Sequence, residues 1–232
     1  MTQLFETLAP VLAKTSDGND FPVRRVFCIG RNYADHAKEM GVEVDREAPF
    51  YFTKWAETVI PTGSTMAYPP MTQNFHYEAE LVVAIGKGGR NIDEAQALDH
   101  IYGYATGLDM TRRDLQLEAR SKGRPWDAGK NVEQSSPLGL LHPISETGEL
   151  TKGRISLTVN GEVKQDADLA DLIHSVPALI AYISKAYRLE PGDLIYTGTP
   201  AGVGAVLPGD EIVISIEGLS DTVIKVGPPL DA

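Results

Sequence analysis

The chain has 232 residues, 42% hydrophobic and 23% charged, enough to bury one substantial core and to predict one domain with at most a small extension. Its 21 Lys and Arg against 32 Asp and Glu give a net charge of −11, and no basic cluster is interleaved with aromatics, which excludes nucleic acid as a partner. No apolar run reaches the length of a membrane span, the N-terminal stretch lacks a basic start and apolar core, and a single cysteine rules out an internal disulfide; together these predict a soluble cytoplasmic protein without a membrane partner.

Residues 1–22, punctuated by Ser16-Asp17-Gly18-Asn19-Asp20 and Pro22, read as a short N-terminal arm with little core of its own. Arg25 to Ile29 is a strand that ends at Gly30, and Cys28 within it is a buried, inert thiol. Helix formers fill Ala34 to Met40, with Gly41 as a stop. His36 and Glu39 are three apart and share a face of that helix, which suits a carboxylate-oriented general base and equally an ordinary surface helix. Residues 42–49 are charged and aperiodic, the pattern of a mobile loop that with the preceding helix would make a lid. Phe50 to Lys54 returns to strand character, and 57–71 reads as short strands and turns with no helix.

Gln73 to Ile85 reads as one continuous strand whose Leu81-Val82-Val83-Ala84-Ile85 half is buried. Alternation sets Glu78 and Glu80 side by side on one face, roughly 6–7 Å apart at the backbone, near enough to converge on one ion. Two neighbouring carboxylates at the head of a core strand repel and are costly to desolvate, and a divalent cation removes both penalties; a solvated edge strand would also fit the spacing. The Gly86-Lys87-Gly88-Gly89 stretch is a turn, and Ile92 to Leu98 a short helix. Ile101 to Leu108 is a second apolar strand, and Asp109 at its end is a candidate third ligand. The next helix, Arg112 to Lys122, sets Arg113 and Gln116 on one face, a planar fork and an amide for a carboxylate or else part of a polar surface.

Lys130 sits among small and aromatic residues, where a buried ammonium needs an anionic partner and could serve a developing oxyanion. Ile155 to Val159, the Asn160-Gly161 turn and Glu162 to Gln165 form a hairpin, and Ser175-Val176-Pro177 opens a packing helix that runs to about Tyr187. A strand at Asp193 to Tyr196 leads into the small-residue loop Thr197 to Gly204, whose backbone N–H groups can approach an anion or simply form a turn. Glu211 to Glu217 and Thr222 to Val226 complete a β-rich α+β fold.

Five stretches stand in the order and approximate spacing of the fumarylacetoacetate hydrolase family, which the chain resembles over about residues 23–226. They are Gly30-Arg31-Asn32-Tyr33-Ala34-Asp35-His36, Glu78-Ala79-Glu80, Leu108 to Asp114 with Gln116, Gly129-Lys130, and Thr197-Gly198-Thr199-Pro200. The resemblance implies a β-roll catalytic domain over residues 23–232, a homodimer, and bound Mg2+ or Mn2+. By position it implies Glu78, Glu80 and Asp109 as metal ligands, His36 with Glu39 as the water-activating dyad of a lid, and Lys130 beside the substrate's carbonyl oxygens. It further implies Arg31, Arg113, Gln116, Gly198 and Thr199 as substrate-binding residues. The activity implied is hydrolysis of a C–C bond in an acylpyruvate, a small anionic keto acid, with fumarylpyruvate of aromatic catabolism first. Oxaloacetate decarboxylation, or dienoate isomerisation or hydration, is the alternative at the same metal site. Two departures lie near the expected pocket: Trp55 follows Lys54 where many members have proline, and Asn131 follows Lys130 where serine or alanine is common.

Overall fold

The strand Ala79–Ile85 is buried at every position because it packs on both sides. Its odd residues Leu81, Val83 and Ile85 enter one apolar cluster, and Val82 and Ala84 enter a second. Period-two alternation therefore carries no polar face here, which is why the sequence reads as an unbroken apolar run. The structure, a computed structural model, describes every residue except 1–3, 5, 7, 8, 42–47 and 230–232. The expected mobile loop lies largely outside the described residues.

Ala79–Ile85 is central in an eight-stranded mixed sheet, ordered Phe50–Lys54, Arg25–Gly30, Asp193–Tyr196, Ala79–Ile85, Ile101–Leu108, Ser136–Leu138 and Val59–Pro61, with His142–Pro143 also paired to Ile101–Leu108. A five-stranded sheet runs Glu162–Asp168, Arg154–Val159, Glu211–Ile216, Thr222–Pro229 and Thr65–Tyr68. The larger cluster draws Leu81, Val83 and Ile85 from the first sheet, and Ile155, Leu157, Ile212 and Ile214 from the second. The helix Val176–Ala186 adds Leu179, Ile180 and Ile183 to that core. Its Ser175 cap accepts from the Ala178 N–H, and proline stands in its first turn.

On the opposite face, the hairpin of Leu12–Lys14 and Asp20–Pro22 covers the smaller cluster with Ala13 and Phe21. The N-terminal segment thus forms part of the core, more than the sequence suggested. Mixed sheets with few helices make this the β-rich α+β fold expected from the sequence. Two expected elements differ in kind. The Ile92–Leu98 helix is a run of 3-10 turns at Glu94–His100, and a further 3-10 turn occupies Ala56–Thr58. Among the described residues no helix is long and apolar enough to cross a membrane.

The expected continuous strand from Gln73 to Ile85 is broken at Glu78. Phe75–Tyr77 joins a separate small sheet with Thr111–Arg112 and Gly204–Ala205, while Ala79–Ile85 stays in the large one. At the break the Ala79 N–H leaves the ladder and donates to the buried Gln165 side chain at 2.9 Å. Glu78 is therefore set by a change of sheet and not by simple alternation with Glu80.

Candidate active site

Three carboxylates meet where the large sheet frays. Register pairs Ala79 with Leu108, so the next residues out, Glu78 and Asp109, come together, and the Asp109 N–H donates to the Glu78 carbonyl at 3.0 Å. Glu80 reaches the same point from within its strand. One ligand oxygen of each of Glu78, Glu80 and Asp109 lies within 4.8 Å of the others, and all three residues are buried.

Three cations surround them. The Lys130 ammonium donates to both Glu78 and Asp109 at 2.6 Å, and Arg113 donates to Glu78. Lys54 donates to Asp109 at 2.8 Å and to the carbonyls of Met110 and Ser135. Lys54 is the ionic residue that local spacing does not single out. Its signal is a lysine closing the aromatic strand Phe50-Tyr51-Phe52-Thr53, the same signal that points to Lys130. Lys130 ends a single helical turn, Asp127–Lys130, seated directly on the Arg113–Ser121 helix. Gly129 permits that seat, since a Cβ there would fall 2.8 Å from the Gln116 backbone.

Burial raises the pKa of a carboxyl, yet the Lys130 and Arg113 charges hold Glu78 well below the ordinary range. Glu80 behaves in the opposite way. Burial, with the Asp109 and Glu78 charges beside it, pushes its carboxyl well up, and its hydrogen bond comes from the Gly198 backbone N–H at 2.7 Å. Glu80 is thus a buried acid with no cation of its own among the described residues. Gly198 has φ of 101°, and a Cβ on it would meet the Asn32 Cβ at 2.7 Å. Gly198→Ala is accordingly expected to shift the loop off Glu80, lowering the melting temperature and weakening Mn2+ binding in titration calorimetry; wild-type values in both would refute the coupling.

The Ala34–Glu39 helix brings His36 over the carboxylates. The His36 Nδ1 is 3.2 Å from Glu39, whose carboxylate also accepts from the Gly202 N–H at 3.1 and 3.2 Å. Since a carboxylate only accepts, Nδ1 carries the hydrogen and Nε2 keeps its lone pair. Burial pulls the His36 pKa below its usual value, against the opposing charges of Glu78 and Glu39, so the ring is neutral at pH 7.

Arg113 also donates to the Gln116 carbonyl oxygen and, at 3.5 Å, to the His76 Nδ1. His76 is therefore the Nε2–H tautomer, donating to Asn74 at 2.8 Å. Burial, with the nearby Arg113 charge, pushes His76 down to about 4. The unfolded chain takes up this proton near pH 6.5, but the folded one only near 4, so acidification across that window favours unfolding. Between pH 7 and pH 4 the melting temperature of wild type should therefore fall relative to His76→Gln, which cannot titrate; parallel curves would refute it.

One cleft gathers these groups, lined by His36, Glu78, Glu80, Asp109, Arg113, Gln116, Lys130, Thr199 and Arg31. Every site residue expected from the sequence borders it except Glu39 and Gly198, which hold His36 and Glu80 from behind. The Thr199 hydroxyl accepts from Gln165 at 2.8 Å and so has its own hydrogen left to donate. Phe52, Trp126, Met40 and Arg120 line the remaining wall.

Comparison with known proteins places this geometry. The family model for the fumarylacetoacetate (FAA) hydrolase C-terminal region matches residues 25–226. A fumarylpyruvate hydrolase from a Ralstonia species is 53% identical over 191 residues, covering 82% of this chain and 99% of that protein. The mitochondrial oxaloacetate tautomerase FAHD1 of Homo sapiens is 43% identical over 206 residues, covering 89% of this chain and 93% of that protein. The crystal structure of fumarylpyruvate hydrolase from Pseudomonas aeruginosa in complex with Mn2+ and pyruvate superimposes with a TM-score of 0.95 at 48% identity, covering 98% of this chain and all of that one.

Proposed function

This chain belongs to the fumarylacetoacetate hydrolase family, and from that we propose that it hydrolyses a C–C bond of an acylpyruvate, converting fumarylpyruvate to fumarate and pyruvate. The reading rests above all on a neutral, carboxylate-oriented imidazole that shares one cleft with a buried lysine and three converging carboxylates. The likeness to two fumarylpyruvate hydrolases, one crystallised with Mn2+ and pyruvate, supports it.

Glu78, Glu80 and Asp109 would hold the Mg2+ or Mn2+. The site fits such an ion: its donors are all oxygens, and Glu80 is a fully desolvated acid that lacks a cation. Once bound, a divalent cation supplies Lewis-acid polarisation of the keto acid's oxygens. The chain's own groups do the rest. His36 Nε2 takes a proton from water, and Glu39, pinned by Gly202, stabilises the imidazolium. The hydroxide oxygen bonds to the distal carbonyl carbon, and Lys130 offers a hydrogen to the oxygen on which charge develops. The C–C bond then breaks with its electron pair left on pyruvate as the enolate, and the proton held by His36 is available to complete the methyl group. Arg113, Gln116 and Thr199 would face the substrate's carboxylate end, with the Thr199 hydroxyl donating, while Gly198 acts from behind through Glu80.

Purified protein with Mg2+ or Mn2+ should consume the ultraviolet absorbance of fumarylpyruvate and release fumarate and pyruvate in equal amounts, and a chelator should stop it. A second reading, action on oxaloacetate, is supported by the relative named for that substrate. Silence on fumarylpyruvate with turnover of oxaloacetate would select it. The same proposal includes a cytoplasmic homodimer serving aromatic catabolism.

A further inference from the structure

Lys54, Lys130 and Arg113 are committed to Glu78 and Asp109, but two more arginines border the cleft. Among the described residues neither Arg31 nor Arg120 is ion-paired with a carboxylate. In a chain of net charge −11, two guanidinium groups bordering one cleft without an ion pair among the described residues are a local exception.

Arg31 is held there under strain. Its φ of 61° lies in the left-handed region, which non-glycine residues seldom adopt. The surroundings enforce it from both sides. Gly30 lets the Phe50 ring come so close that a Cβ would meet it at 2.5 Å. Asn32, fully buried, donates to the carbonyls of Thr197 and His174 at 2.8 and 3.0 Å and accepts from the His174 N–H at 2.7 Å. The Arg31 guanidinium then rests 5.4 Å over the Phe50 ring.

The two arginines stand away from the metal end. Lys130 lies 4.9 Å over the Phe52 ring, Phe52 and Phe50 both pack on Trp126, and Arg31 lies beyond them on Phe50. Arg113, Gln116 and Arg120 follow at i, i+3 and i+7 on one helix face, so Arg120 is about 10 Å along the axis from Arg113. Its terminal nitrogen donates to the Met40 carbonyl at 3.3 Å, at the end of the helix that carries His36. Between the two ends the lining includes Phe52, Trp126 and Met40, all apolar.

We infer that Arg31 and Arg120 form a second anion subsite that binds the distal carboxylate of a dicarboxylic acylpyruvate, with the intervening acyl chain lying along Phe52 and Trp126. This inference rests on the acylpyruvate reading above and sharpens it: the preferred substrates carry a charge at both ends. Arg120 also ties recognition of that charge to the His36 helix through Met40.

The test separates binding from chemistry. Two unreactive probes of equal length, 2-oxoheptanedioate and 2-oxoheptanoate, differ only in the distal carboxylate. Titration calorimetry on the Mn2+-loaded protein should give a preference of at least about tenfold for the diacid. Arg31→Asn, chosen because asparagine tolerates the left-handed backbone, and Arg120→Gln should each erode that preference, and the double variant should abolish it. Arg120→Lys should restore part of it. Equal binding of the two probes by wild type, or a preference that survives both substitutions, overturns the subsite while leaving the hydrolase reading intact. Failure of wild type to cleave fumarylpyruvate overturns that reading instead.

Discussion

Replacing His36 with alanine is expected to lower kcat for fumarylpyruvate by roughly 10²–10⁴-fold, the usual worth of a positioned general base. KM should change little, because the imidazole acts on water and not on the keto acid's carboxylate. Loss of ultraviolet absorbance measures the rate, and Mn2+ titration shows whether the carboxylates still bind metal, as they should with His36 outside their hydrogen bonds. Glu39→Gln should fall between wild type and His36→Ala, since the amide keeps a partner for Nδ1 but removes the charge that stabilises the imidazolium. A residual rate within a few fold of wild type in His36→Ala would end the general-base assignment. The pH profile supplies a second check. With the His36 pKa held down by burial, kcat/KM should stay high through pH 7 and fall only below about 6.5, as the ring gains its proton.

The second large effect has opposite signs with and without metal. Glu80→Gln removes a buried acid that, without a cation, must either hold an unoffset charge or take up a proton on folding, while the amide oxygen still accepts from the Gly198 N–H. In the presence of a chelator the variant should therefore melt higher than wild type. With Mn2+ at a hundred times its dissociation constant, wild type should gain about 2.7 kcal/mol, roughly 5–10 °C for a chain of this size, and the variant should gain far less. The crossing of the two curves is the signature. A variant that melts lower than wild type under both conditions would show Glu80 to be a structural acid. The analogous change at Glu78 should not cross, because Lys130 and Arg113 already compensate that carboxylate, and removing its charge leaves the buried Arg113 without a carboxylate and Lys130 with Asp109 alone.

Much of this was legible in the sequence wherever contacts are local. The Ser175 cap, the Asn160-Gly161 hairpin and the His36–Glu39 pair are read from residues within a few positions of each other, and the structure has all three. The apolar strands were legible for the same reason. What escaped depends on distant partners. Glu78 sits at a strand break because Gln165, 86 positions away, claims the Ala79 N–H, and no local pattern encodes that. Lys54 finds Asp109 from 55 positions away, and Arg120 meets the His36 helix from 80. The N-terminal hairpin looked peripheral because its two buried residues, Ala13 and Phe21, are too sparse to read as a core face.

The packing of three cations against Glu78 and Asp109 has a bearing on the protein's history in the cell. A small zinc module cannot fold until its ion arrives, because nothing else offsets its ligands. Here Lys54, Lys130 and Arg113 already neutralise most of the nest, and two large apolar clusters supply the driving force. The nascent chain can reach its native shape empty and be metallated afterwards. Occupancy is then a question of supply and exchange, answered by whichever divalent ion the finished protein meets and renewed each time the ion leaves.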